Sequence, residues 1–140
     1  MTAEFGHHYI ARQWLSDAPN GFSEVENPSD GSIIGTAPNG SAGLAENAVM
    51  AAREAFESTD WASNPRQRAA ALLEFADILE SRADEIAALM ARENGKVLAQ
   101  ARHEVAAGYG EARYYAGVAR NVFGRTFESG SGKLSLMTRE

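Results

Sequence analysis

PRQRAAALLEFADILESRADEIAALMARENG, residues 65–95, reads as helix from its spacing and from both of its ends. Leu72, Ala76, Leu79, Ala83, Ile86 and Met90 recur at alternating intervals of four and three, which places them on one helix face. Asn64 is positioned to cap the start, with Pro65 at the first helical position, where a missing N–H costs nothing. Asn94-Gly95 ends the segment, because Gly takes the left-handed geometry of a helix C-terminus. Through Ser81-Arg82 the spacing allows either an unbroken helix or a break with Ser81 as a new N-cap.

Downstream, a further helix is predicted from about Lys96 to Asn121. Its stripe is Ala101, Val105, Gly108, Ala112, Tyr115, Ala119 and Val122, small enough for close approach of another element. Gly108 and Gly110 each weaken that helix by roughly 1 kcal/mol relative to Ala, and close packing is the simplest compensation. Residues 124–133 read as a Gly/Ser loop, and Lys133–Arg139 as a final strand that looks interrupted rather than closed off.

Upstream, Ser41 can cap a helix from Ala42 to about Ser58, with Leu44, Ala48, Ala51, Ala52 and Ala55 as its apolar stripe. Before it, residues 9–38 carry strand and turn signals. Tyr9-Ile10-Ala11 and Trp14-Leu15 form a short apolar stretch. Phe22–Glu26 and Ser32–Ala37 read as extended pieces around the turn Asn27-Pro28-Ser29-Asp30-Gly31. That is a hairpin or small meander, too small to stand alone.

The chain of 140 residues fits one domain. Hydrophobic residues make up 44% and charged residues 23%, the balance of a globular protein. A net charge of −6 offers no attraction to nucleic acid. The 11 Arg and 2 Lys alternate with acids as solvated helix faces. With no cysteine there is no disulfide, thiolate metal site or cysteine nucleophile in this stretch. MTAEFGHHYIARQW is not a signal peptide, and no apolar run reaches the ~18 residues of a membrane span. A cytoplasmic protein is the expectation.

Local motifs do not declare a chemistry. Gly108-Tyr109-Gly110 begins like a dinucleotide fingerprint, but it lacks the third glycine and lies inside a helical pattern. Gly130-Ser131-Gly132-Lys133 resembles the end of a phosphate loop, yet Phe127 replaces its first glycine and Leu134 its magnesium-binding hydroxyl. Adjacent His7 and His8 point to opposite faces of a strand, and His103 stands alone on a helix.

Several segments together resemble the start of the aldehyde dehydrogenase family. Glu26–Ile34 looks like its "NPATGEVI" hairpin, and Ala48–Trp61 is similar to its "AVAAARAAFEGGW" helix. Pro65–Leu79 resembles "PAERARLLRRLADLL", Glu93–Lys96 its "ETGK" turn, and Glu111–Gly117 its "ALRYYAG" signature. Lys133–Glu140 stands where the family has "SYTRREP". Order and spacing agree from about Tyr9 to the end.

The resemblance implies oxidation of an aldehyde to a carboxylic acid with NAD or NADP, through a cysteine thiohemiacetal, hydride transfer and a glutamate that activates water. Those residues, the oxyanion asparagine and the cofactor-binding lysine lie beyond position 140 in such proteins. No catalytic or cofactor-binding residue is therefore expected here, and no cofactor is expected to bind this segment alone. The helix before the "RYYAG" signature lines the substrate tunnel in similar enzymes, which would place His103, Ala107 and Gly110 on its wall. Packing alone is the competing reading for Ala107 and Gly110. Glu93 falls at a turn where some relatives hold a structural cation; otherwise no metal is expected. Tyr114 and Tyr115 are assigned to packing.

The fold expected is an α+β fragment of an α/β protein. It has an N-terminal β-hairpin at about 9–38, three or four helices over about 42–122 and a terminal strand at about 133–139. Residues 1–140 would be the N-terminal portion of a Rossmann-like cofactor-binding domain, inactive alone. Its partners would be the aldehyde, the remainder of the dehydrogenase or like subunits in a homo-oligomer, with no nucleic acid or membrane. A free-standing helical binding or assembly module derived from the family is the alternative. Either way, an exposed apolar stripe is expected on the isolated chain.

Overall fold

The structure is a computed structural model that describes residues 4–138. Strand β1 (Glu4–Phe5) pairs in parallel with β5 (Ile33–Pro38), whose other edge pairs antiparallel with β4 (Phe22–Glu26). The β4–β5 turn is the expected one. Gly31 takes φ +71°, and Asp30 accepts hydrogen bonds from both the backbone N–H and the hydroxyl of Ser32.

The apolar stretch near the N-terminus is a hairpin of its own. β2 (His8–Ile10) and β3 (Gln13–Leu15) are joined by the two-residue turn Ala11-Arg12, both at positive φ. Such turns usually carry Asn-Gly, because a Cβ disfavours positive φ. The hairpin therefore has no sequence signature at its turn. Its cross-strand pair Tyr9–Trp14, with ring centroids 4.7 Å apart, supplies compensation.

Four helices follow. α1 (Ala42–Ser58) starts where the Ser41 hydroxyl accepts from the Leu44 N–H, and α2 (Pro65–Ser81) where the Asn64 side chain accepts from the Gln67 N–H. Both predicted caps are present. α2 stops at Ser81, but Ser81 is not a cap: its hydroxyl donates back to the Ile78 carbonyl, and Arg82 occupies the junction. α3 (Ala83–Asn94) ends at Gly95 with φ +74°, as its sequence requires. α4 (Leu98–Ala119) is shorter at both ends than expected.

The expected Gly/Ser loop at 124–133 is a correction. Arg125–Gly130 is strand β6, paired antiparallel with β7 (Lys133–Met137) around a turn with Gly132 at φ +71°. Thr126 and Phe127 carry the β preference that the flanking glycines mask. The final strand ends at Met137, and the last predicted position, Arg139, lies outside the described residues.

α2 and α4 form the main contact and run antiparallel, with α3 packed on α4. The buried hydrophobic residues among those described are six alanines (Ala69, Ala76, Ala87, Ala101, Ala112, Ala116) and Val105, with Gly35 of β5 buried as well. Leu79, Ala83, Ile86 and Met90 pack around the Ala87–Ala101–Val105 cluster, as their spacing predicts. On α4 the stripe departs from expectation after Ala112: Ala116 is buried, whereas Tyr115 and Val122 are exposed. Tyr114 is exposed too, and the two tyrosine rings meet edge-on. A Cβ on Gly108 would meet Leu79 at ordinary contact distance, but one on Gly110 or Gly117 would meet nothing within 4 Å.

An alanine core brings backbones close but removes little apolar area from water. The chain exposes 10658 Å², where a compact monomer of 15.0 kDa exposes about 7,000 Å². α1 contains no buried residue, and its Val49, Met50 and Phe56 face solvent. The expected apolar exposure is present and extends over more than one face.

Candidate functional site

The site candidate is the outer face of α4. Ala101, Val105, Ala112 and Ala116 turn that helix toward α2 and α3. At 100° per residue, His103, Ala107 and Gly110 fall about 180° from that buried row. All three are exposed, and Tyr114 continues the same line. The structure thus brings the three predicted residues onto one face, pointing away from the chain's own core. Only His103 among them carries a hydrogen-bonding side chain.

Ion pairs that spacing did not announce hold this face in place. Lys96 Nζ lies 2.6 Å from Glu104 Oε2, with the lysine side chain only 19% exposed, and ties the α3–α4 turn to α4. Arg102 pairs with Asp84 at 2.9 Å. Arg113, within the RYYAG signature, donates to Glu80 and, at 2.8 Å, to Asp77 across on α2. The Glu80 and Asp77 hydrogen bonds raise its pKa well above the ordinary guanidinium value, so it stays charged at any working pH. The Arg113 guanidinium also lies 5.4 Å from the Tyr109 ring centroid. These partners stand 33 and 36 residues away in sequence, beyond the reach of any helical-spacing rule.

Glu93 is exposed in the last turn of α3, next to Gly95. Among the described residues no group of three or more His, Asp or Glu side chains could hold a metal. A cation at Glu93 would therefore need carbonyl oxygens or water to complete its shell. Gly95 packs under the β4–β5 turn, where a Cβ would fall 2.7 Å from Pro28 Cγ. Gly108-Tyr109-Gly110 lies inside α4, away from any helix N-terminus, and so does not form a dinucleotide-binding turn.

The sequence profile described as the Aldehyde dehydrogenase family matches residues 14–140. The α-ketoglutaric semialdehyde dehydrogenase of Bacillus subtilis (strain 168) is 40% identical over 112 residues, covering 79% of this chain and 22% of the relative. The glutarate-semialdehyde dehydrogenase of Pseudomonas putida is 34% identical over 120 residues, covering 84% of this chain and 24% of the relative. Among solved structures, an NAD-dependent aldehyde dehydrogenase from Sinorhizobium meliloti superposes with a TM-score of 0.87 at 29% identity, over 96% of this chain and 27% of that one. The lactaldehyde dehydrogenase of Escherichia coli gives 0.85 at 30% identity, over 91% and 27%. The chain thus spans about a quarter of the length of the proteins it matches.

Proposed function

The chain belongs to the aldehyde dehydrogenase family, and on that premise we propose that it is the N-terminal part of an NAD(P)-dependent enzyme oxidising an aldehyde to a carboxylic acid. The observation that carries the reading is the surface. The excess of exposed area over a compact monomer is of the order buried in an obligate interface. A cofactor-binding domain continuing beyond this chain would cover it. The residues present include no cysteine, so in this reading the thiol nucleophile belongs to the complete protein.

Within that protein the outer face of α4 would border the path of the aldehyde. His103, Ala107 and Gly110 are the residues we propose there, supported by their common face and their exposure in this chain. Carboxylate-bearing aldehydes are the first substrates to test, because the two curated relatives are named for semialdehydes. Glu93 remains a candidate ligand for a structural cation. A cytoplasmic homo-oligomer is the proposed setting; no described helix is long and apolar enough to cross a membrane.

Sequencing the coding DNA beyond the Glu140 codon tests the proposal. A frame continuing into a body with a cysteine nucleophile, and a product that reduces NAD or NADP with a semialdehyde, would establish it. A stop codon at that point would sink the enzymatic reading and leave the binding or assembly module.

A further inference from the structure

We propose that the groove between α2 and α4 binds a small carboxylate with an apolar body, its charged end at Arg66 and Arg120 and its body along Leu73 and Gly117. Every charged residue lining this open groove is an arginine, on a chain whose net charge is −6. The charge of Arg113 is met by Asp77 and Glu80, whereas the ion pairs among the described residues leave Arg66 and Arg120 without a carboxylate. Their guanidinium forks suit a carboxylate, which accepts two parallel hydrogen bonds.

The apolar part of the groove has its own signature. Gly117 sits in the helix interior, where glycine is unfavourable, and a Cβ there would meet nothing within the chain. Its absence leaves room for a ligand to lie against the α4 backbone. From Arg66 to Leu73 the floor runs seven residues of helix, about 10 Å. That length fits a short amphiphilic acid, not a second helix. The groove lies at the C-terminal half of α4, about two turns beyond Gly110, and its test reads carboxylate binding rather than aldehyde oxidation, so the two readings can fail separately.

The test is titration of the chain with hexanoate by calorimetry and by NMR chemical shifts, with hexanol and inorganic phosphate as comparisons. Saturable hexanoate binding with Kd on the order of 1 mM is expected, with shifts centred on α2 and the C-terminal half of α4. Arg66→Gln with Arg120→Gln should weaken it by about tenfold or more. Gly117→Leu should abolish it while keeping or raising the helical circular dichroism, because Leu is the better helix former. Absence of saturation with the parent chain would overturn the proposal. So would equal binding of hexanol, binding of phosphate as tight as hexanoate, or a Gly117→Leu variant that binds unchanged.

Discussion

Replacing Gly95 by Ala probes the joint between the N-terminal strands and the helices. Two costs can be read from the structure. Gly95 holds φ +74°, and moving an L-residue into that region costs about 1–2 kcal/mol. The new Cβ would also fall 2.7 Å from Pro28 Cγ, so the turn or the helix end must shift, an overpacking cost of about 1–3 kcal/mol. The sum, about 2–5 kcal/mol, is a large fraction of a small domain's stability. The second cost is separable from the first. Pro28→Ala removes Cγ and Cδ and leaves a Cβ at 3.6 Å, an ordinary contact. In that background Gly95→Ala should cost only the backbone share, so a double-mutant cycle should show coupling of about 1–3 kcal/mol. Urea denaturation followed by far-UV circular dichroism measures all four variants. If Gly95→Ala costs the same with and without the Pro28 ring, the strands do not seat on this turn as described.

Four further outcomes are expected. Ala101→Leu, at a fully buried position, should cost about 1–3 kcal/mol, whereas Ala107→Leu on the outer face should stay within about 0.5 kcal/mol in this chain, by denaturation midpoints. In the complete enzyme Ala107→Leu should raise KM for long aldehydes, and an unchanged KM would remove that residue from the substrate path. Changing Ala11-Arg12 to Asn-Gly should stabilise the β2–β3 hairpin by about 1 kcal/mol or more, seen as slower amide exchange at Tyr9 and Trp14; unchanged exchange would refute the strained turn. The Ser32 hydroxyl and N–H hold Asp30 below the ordinary carboxylate pKa, so this contribution is present above that ordinary value and lost as pH falls through the folded one. Ser32→Ala should move the Asp30 midpoint upward in a carboxyl NMR titration. Lys96→Met should lower the denaturation midpoint more than Arg53→Met, since the Lys96–Glu104 pair is partly buried and the Arg53–Glu57 pair is exposed.

Local signals in the chain reached far. Ser41, Asn64 with Pro65, and Gly95 mark helix ends because capping is a contact between neighbours in sequence, visible wherever the right side chain stands. The spacing of Leu79, Ala83, Ile86 and Met90 predicted a packed face because helical geometry turns spacing directly into direction. His103, Ala107 and Gly110 were singled out by the family resemblance, and helical geometry then puts them on one face. Where local preference and structure diverge, the misreading is also physical. The Ala11-Arg12 turn lacks the residues that favour positive φ, and the glycines around β6 concealed a strand held by its partner β7.

Other features depended on tertiary structure. Arg113 finds Asp77 and Glu80, Lys96 finds Glu104, and Pro28 seats on Gly95 only after the elements have docked. Likewise, the α4 interface continues through Ala116 rather than Tyr115, a choice set by which side chain the approach of α2 can accommodate. The sequence by itself determined the helices, their order and the family, because caps, periodicity and ordered motifs are local or linear properties. Which faces are covered, and how much apolar surface is left for something else to cover, was settled only by packing, because burial is a property of neighbours brought together in space.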